Sequence, residues 1–203
     1  MTQAELLRHV AGVFEDLGVT YMIGGSQAAV YYGDPRFTQD IDVVTDLGLE
    51  HIPALVDRFP AGEFYMSEES AREAVETRGQ FNIIHPSSGL KIDVFVNKDT
   101  DYDRLRLDRR QRLPLVPGRE AYFARPEDII LYKMLYFLYK MLYFLYKMLY
   151  FREGQSDVHV RDILGIVRVS GPEIDTAYVG EWARRLGLGD IWDAMLKRAQ
   201  TNE

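Results

Sequence analysis

Cysteine is absent from this chain of 203 residues, and basic residues are too few to balance the acidic ones. The lack of cysteine excludes a scaffold held together by disulfide bonds. With 24 lysines and arginines against 31 aspartates and glutamates, the net charge is -7, which argues against a protein that coats nucleic acid by charge alone. A hydrophobic fraction of 47% excludes a disordered chain and is enough for one α/β domain followed by a smaller helical one.

The amino-terminal residues lack the features of an export signal. Residues 1–19 have no basic start and no uninterrupted apolar stretch, and their apolar side chains recur at helical spacing. The segment therefore predicts an amphipathic helix that ends near Gly18. The expected location of the protein is the cytoplasm.

Part of the hydrophobic content comes from a perfect tandem repeat. Residues 131–151 read LYKMLYF three times without a substitution. Without two of these copies, the composition is that of an ordinary soluble protein. The repeat is therefore interpreted as a local insertion, and the function is to be sought outside it.

Periodicity and turn residues divide the chain into two predicted domains, residues 1–125 and residues 126–203. The first predicts a mixed α+β core, and its charged stretch 99–112 predicts a loop with a short helix. Its predicted strands are 20–23, 39–45, 80–85, 90–96 and 120–124, and its later helices are 27–32, 52–59 and 71–77. The second domain predicts an extended helix over 126–151, followed by helices near 158–167, 173–186 and 190–199. The predicted fold class is thus a mixed sheet with flanking helices, followed by a helical region with one extended helix.

Three carboxylates stand on two of the predicted strands. Asp40 and Asp42 are two residues apart, so they project from the same face of one strand, and Asp93 lies in the middle of an apolar strand. Burying like charges together is costly unless a cation compensates them. Carboxylate oxygens suit Mg²⁺, which usually keeps substrate phosphates in its shell. The set therefore predicts a magnesium site.

A glycine turn precedes these strands. Gly24, Gly25 and Ser26 lie between a predicted strand and a predicted helix. Such a turn offers free backbone N–H groups and the positive end of the helix to a phosphate, and glycine lets the backbone approach the ligand. The turn is therefore a candidate phosphate site.

In this order and spacing, Gly24-Gly25-Ser26, Asp40-Ile41-Asp42-Val43 and Lys91-Ile92-Asp93-Val94 resemble the polymerase-β-type nucleotidyltransferase superfamily. Residues 36–42, 125–133 and 157–164 are similar to the branch of this superfamily that includes the AbiEii-type toxin nucleotidyltransferases. The similarity extends from about residue 24 to residue 164.

The resemblance implies transfer of a nucleotide from a nucleoside triphosphate to a hydroxyl acceptor, with release of pyrophosphate. Asp40 and Asp42 would hold two magnesium ions, and Asp93 would complete the second metal site and activate the acceptor hydroxyl. The residues implied in binding the triphosphate are Gly24, Gly25, Ser26, Arg36, Thr38 and a lysine, Lys133 or Lys147, with Asp162 in support.

The acceptor stays open at this point. A toxin that modifies tRNA, paired with an antitoxin, follows from the resemblance, and a small molecule or a protein are the other acceptors. The arginine-rich run 104–112 is the first place to look for RNA contact, although its interleaved aspartates favour a solvated face. A different class of function is a non-catalytic nucleotide-binding or interaction protein.

The repeat has physical consequences of its own. Two extra copies lengthen a helix by about 21 Å with a phase error of only about 40°, so Lys133 and Lys147 cannot both serve one site. The repeat has an apolar face, and its exposure predicts a homodimer through the repeat helix 131–151. Exchange of the C-terminal helices, as in a domain swap, is an alternative form of this dimer. A membrane span over 129–151 has the right length but contains three lysines, and no span is expected.

Overall fold

A computed structural model of the chain describes residues 1–34, 40–148 and 158–201. The chain divides into two compact units. The first consists of Met1–Gln27 and Phe37–Arg125, and the second of Ala28–Arg36 and Pro126–Glu203.

The first unit is built on a seven-stranded mixed sheet. Its strands are β1 (Tyr21–Ile23), β2 (Asp40–Thr45), β3 (Tyr65–Met66), β4 (Gln80–His85), β5 (Leu90–Val96), β6 (Gln111–Val116) and β7 (Arg119–Phe123). Their order across the sheet is β3-β4-β5-β2-β1-β7-β6. β2 runs parallel to β5 and β1 runs parallel to β7, whereas the other neighbouring pairs are antiparallel. The predicted fold class, a mixed sheet with helices, is confirmed.

Five α-helices begin in the described residues of the first unit. They are α1 (Gln3–Asp16), α2 (Gly25–Tyr32), α3 (Ile52–Arg58), α4 (Glu68–Thr77) and α5 (Asp101–Asp108). Thr2 and Glu5 form a capping box at the start of α1, and Gly18, with a φ of 67°, follows its end as the sequence predicts. From Ala28 onward, the residues of α2 belong to the second unit.

The two central strands owe their orientation to alternating apolar residues. Ile41 and Val43 on β2, and Ile92 and Val94 on β5, are completely buried. Because side chains of a strand point alternately to opposite faces, the polar residues between them point to the other face. The buried positions therefore fix which side of the sheet carries the charged residues.

The edges of the sheet differ from the sequence-based expectation. Residues 111–116 form the edge strand β6, which begins inside the stretch 99–112 predicted as a loop with a short helix, and the two-residue β3 forms the other edge. β6 contains Pro114, where the pairing with β7 is irregular. Proline cannot donate a ladder hydrogen bond and is tolerated at edges and bulges, so the strand lacks the usual sequence signal.

The second unit is helical in its described residues. Its further helices are α6 (Pro126–Met148), α7 (Val158–Ser170), α8 (Thr176–Arg185) and α9 (Gly189–Thr201), with a short 3-10 turn at Gly171–Glu173. The start of α6 buries Ile129, Ile130 and Met134, and α7 buries Ile163 and Ile166. The extended helix was expected over 126–151, and its last three positions lie outside the described residues. None of the helices in the described ranges is both long and apolar enough to span a membrane.

Candidate functional site

The three predicted carboxylates meet on one face of the two central strands. In the parallel register between β2 and β5, Asp42 is paired with Asp93 and Asp40 with Lys91. The side chain of Asp40 is 56% exposed, whereas that of Asp93 is only 14% exposed. The sheet therefore places acidic groups from distant parts of the sequence side by side, one of them exposed and one largely shielded from solvent.

The glycine turn lies directly against Asp42. The Gly24 amide donates to the Asp42 carbonyl oxygen at 2.9 Å, and the Ser26 amide lies 3.4 Å from Asp42 Oδ2. Gly25 has a φ of 55°, and a Cβ at this position would overlap the Asp42 carboxylate. Only glycine fits here, because it tolerates the left-handed conformation and leaves room for the carboxylate.

Lys91 is a fourth member of the cluster that was not among the predicted site residues. Its Nζ lies 2.9 Å from Asp93 Oδ2 and 3.7 Å from Asp40 Oδ1. The hydrogen bond to Asp93 and the charges of Asp93, Asp40 and Asp42 raise the pKa of Lys91, which keeps it protonated. The signal in the sequence was its position two residues before Asp93, which puts both side chains on the same face of β5.

Asn82 also contacts the cluster from the neighbouring strand. It is the register partner of Asp93 on β4. With its amide nitrogen turned toward the carboxylate, it donates to Asp93 Oδ1 at 2.6 Å. Sequence reasoning missed Asn82 because the pairing of β4 with β5 decides which residue lies opposite Asp93.

The donor set suits a divalent cation. Carboxylate oxygens are the ligands that Mg²⁺ prefers, and the ammonium of Lys91 already lies between Asp40 and Asp93, where it stands in for a cation. In this arrangement, no three acidic or histidine side chains in the described part of the chain are placed to share one metal ion. The chemistry of the residues fits Mg²⁺, and Lys91 holds the positive charge at this point of the cluster.

The remaining predicted site residues fall into two groups. Arg36 and Thr38 lie outside the described residues, and so does the side chain of Lys147. Lys133 and Asp162 are brought together in the second unit, where Lys133 Nζ donates to Asp162 Oδ2 at 2.7 Å. Their side chains are only 4% and 5% exposed. Lys133 thus takes part in the packing of α6 against α7, although the two additional repeat copies separate it from Asp162 in the sequence.

The arginine-rich run 104–112 is held by nearby acidic and aromatic side chains. Arg106 forms a buried pair with Asp103 at 2.7 Å, and Arg104 pairs with Asp99 and Asp101. The guanidinium groups of Arg110 and Arg112 lie over the ring of Tyr122 at 4.7 and 5.2 Å. Acidic and aromatic partners within the first unit thus engage these arginines, and Arg106 and Asp103 are buried rather than on the solvated face that the sequence predicts.

The fold is shared with nucleotidyltransferases of known structure. No protein-family model and no curated protein sequence matches the chain. The antibiotic-resistance factor ANT(2″)-Ia aligns with a TM-score of 0.55 and 14% identity, covering 99% of this chain and 98% of that one. An antigenic nucleotidyltransferase-like protein from Paracoccidioides brasiliensis aligns with a TM-score of 0.53 and 19% identity, covering 94% and 92%. The lincomycin-bound lincosamide adenylyltransferase LnuA aligns with a TM-score of 0.50 and 12% identity, covering 83% and 98%. The chain therefore has the nucleotidyltransferase fold.

We expect Gly25→Ala to destabilise the protein and Gly24→Ala not to do so. At Gly25 the new methyl group meets the Asp42 carboxylate in a backbone conformation that costs alanine at least about 1 kcal/mol. At Gly24 a Cβ has nothing within 4 Å, so the reduced entropy of the unfolded chain is expected to leave stability unchanged or raised by up to about 1 kcal/mol. Urea unfolding of the two variants measures the difference. Equal effects would show that Gly25 is not tightly packed against Asp42.

We expect Lys133→Met to lower the free energy of unfolding by about 3–5 kcal/mol, because it removes the ammonium that is paired with the buried Asp162. Arg161→Met, at an exposed position next to Asp162, is the control and is expected to change stability by less than about 0.5 kcal/mol. The double variant Lys133→Met/Asp162→Leu should recover part of the loss, as measured by urea unfolding. A Lys133→Met protein of unchanged stability would show that this pair does not support the helical unit.

Proposed function

We propose that this protein is a magnesium-dependent nucleotidyltransferase that moves a nucleotide from a nucleoside triphosphate to a hydroxyl acceptor. The observation that carries the proposal is the parallel register that sets Asp42 beside Asp93, with the Gly25 turn packed against Asp42. This arrangement combines carboxylates for a cation with the start of a helix for a phosphate. The likeness to nucleotidyltransferases supports the fold in which such a site would work.

Each group in the cluster has a role in this reaction. Asp40 and Asp42 would hold the two expected magnesium ions, and Asp93 would complete the second site and draw the proton from the acceptor hydroxyl. Bound magnesium would supply Lewis-acid chemistry that stabilises the attacking and the leaving oxygen. The backbone at Gly25 and Ser26 would face the terminal phosphates, where the amide groups and the helix end favour negative charge. The acceptor oxygen would form a bond to the α-phosphorus, and pyrophosphate would leave.

We propose that the acceptor is a hydroxyl group of RNA, with tRNA as the first candidate. The protein would then act as a toxin, with an antitoxin as its partner. The support is the similarity of residues 36–42, 125–133 and 157–164 to the AbiEii-type branch. The name of LnuA, an adenylyltransferase of a lincosamide antibiotic, points to the other outcome, a small-molecule hydroxyl. An assay that offers both classes of acceptor separates them.

We expect Asp42→Asn to lower nucleotide transfer at least about a hundredfold, because the loss of a carboxylate charge removes several kcal/mol of metal-mediated stabilisation. The assay incubates the full chain with Mg²⁺, each labelled nucleoside triphosphate and either total RNA or a panel of hydroxylated small molecules. Asp57→Asn, an equal change at an exposed position on α3, is expected to retain wild-type activity.

Two results would contradict the enzymatic proposal. One is transfer that Asp42→Asn leaves unchanged. The other is nucleotide binding without any transfer, with the same affinity in the wild type and in Asp42→Asn, which would favour a non-catalytic nucleotide-binding or interaction protein. Transfer to a small molecule but not to RNA would contradict only the proposed acceptor.

We further propose that two chains pair through the repeat helix 131–151. On a helix, Leu138 and Leu142 of the second copy lie on an apolar face, and Tyr139 and Tyr143 lie on the other face. The start of α6 is buried, and by their sequence the added copies would extend the apolar face of the helix. The pair of Lys133 and Asp162 within one chain supports a dimer that forms without exchange of the C-terminal helices.

We expect deletion of residues 138–151 to convert a dimer into a monomer, because it removes two copies of the repeat and its apolar face. Light scattering coupled to size exclusion measures the mass at micromolar concentration. Leu138→Lys/Leu142→Lys should have the same effect, whereas Tyr139→Lys/Tyr143→Lys on the opposite face should leave the dimer intact. A monomeric wild type would contradict the proposal, and so would a dimer that survives the deletion.

A further inference from the structure

Four charged side chains form a square on the exposed face of β2 and β5. Asp40 and Lys91 occupy one row of the register, and Asp42 and Asp93 occupy the next. Three carboxylates and one ammonium give these four side chains a formal net charge of -2. A divalent cation carries the charge that would balance the square, but it would then share the site with Lys91.

The carboxylate of Asp93 already has donors on both oxygens. Lys91 Nζ lies 2.9 Å from Oδ2, and Asn82 donates to Oδ1 at 2.6 Å from the neighbouring strand. Asp40 is also within 3.7 Å of the same ammonium. Each oxygen keeps a second lone pair that a metal ion could use, but the metal would share Asp93 with these donors, and of the two donors only Lys91 carries a positive charge that repels the metal.

The Lys91 side chain is able to leave. It is 35% exposed, which places part of it in solvent, and lysine has a long flexible stem with four rotatable bonds. Asn82, by contrast, is fixed to a central strand by its register with Asp93 and has a short side chain. The ammonium is therefore the group that is free to exchange against an incoming cation.

We propose that Lys91 is an internal counter-ion that neutralises Asp93 and Asp40 before metal binds and is displaced when a divalent cation enters the cluster. This inference rests on the proposed function, because it takes the three carboxylates as the metal site. Lys91 is a positioning residue here. It stabilises the metal-free protein against repulsion between the carboxylates, and it sets how tightly the divalent ion is held.

If Lys91 is such a counter-ion, removing its charge should lower the stability of the metal-free protein and raise its affinity for a divalent ion. In Lys91→Met, the metal-free protein loses the ammonium that compensates the carboxylates, so it should be less stable than the wild type. The same variant should bind a divalent ion more tightly, since the ion no longer competes with a positive charge about 3–4 Å from its ligands. A lysine that merely supported the fold would produce only the first of these effects.

The test measures Mn²⁺ binding to the full-length protein without nucleotide, by isothermal titration calorimetry, and thermal unfolding with and without Mn²⁺. We expect Lys91→Met to bind Mn²⁺ at least about tenfold more tightly than the wild type. Without metal, Lys91→Met should melt at a lower temperature than the wild type, and added Mn²⁺ should raise its melting temperature by more. Lys91→Arg keeps the charge and should bind Mn²⁺ as weakly as the wild type. Lys98→Met, an equal charge change at an exposed position just after β5, should alter affinity less than about twofold.

The outcomes separate this inference from the proposed function. Equal Mn²⁺ affinity in the wild type and Lys91→Met would overturn the counter-ion role, while transfer that depends on Asp42 would still support the enzyme. Weaker Mn²⁺ binding in Lys91→Met, with the variant folded by circular dichroism, would overturn it as well. Should Lys91→Met fail to fold, Lys91→Gln offers the same comparison with a polar side chain. An absence of Mn²⁺ binding in all variants would overturn the inference and remove the metal from the proposed function.

Discussion

Repulsion between the carboxylates of Asp40, Asp42 and Asp93 is the constraint on which the rest of the first unit depends. Two like charges about 4 Å apart oppose each other by about 4 kcal/mol at the effective dielectric constant of a protein surface. Neighbouring strands nevertheless hold Asp42 and Asp93 in register. The protein compensates with donors: the ammonium of Lys91, the amide of Asn82 and the backbone of the glycine turn.

The opposite face of the same strands explains why the charges cannot move apart. A slip of one residue in the pairing of β2 with β5 would turn one strand over, exposing the completely buried Ile41 or Ile92 and burying the charges of that strand instead. The hydrophobic face therefore fixes the register, and the register brings the carboxylates together. The close approach of Gly25 to Asp42 then orients the start of α2 toward the carboxylate cluster.

The parts of the fold that follow local rules could be predicted from the sequence. Alternation placed Asp40 and Asp42 on one face, and β4 and β5 have the bounds that their apolar patterns indicate. The alignment of Asp93 with Asp42 depends on pairing between strands about fifty residues apart, and the motif resemblance, not periodicity, indicated it. Lys91 could have been found by the same alternation, but an ion pair within a cluster of acids has no sequence signature of its own. The edge strand β6 contains Pro114 and arginines, which are typical of loops.

The pairing of Lys133 with Asp162 raises the question of how α6 selects one of several identical repeat copies. Lys147 occupies the same position in the third copy as Lys133 does in the first, so the lysine alone cannot set the register. The residues that precede the first copy can set it. Glu127 Oε1 accepts the Asp175 amide at 3.1 Å, and Asp128 Oδ1 accepts the Tyr178 hydroxyl at 2.8 Å.

At the positions equivalent to Glu127 and Asp128, the third copy is preceded by Met141 and Leu142, which have no oxygen to accept these hydrogen bonds. A shift of α7 and α8 along α6 by two copies would leave the Asp175 amide and the Tyr178 hydroxyl without these acceptors. Each loss costs about 1–3 kcal/mol where the group is buried. The unique residues at the start of the helix therefore fix the packing of the second unit, and the insertion lengthens the helix without changing the partner of Asp162.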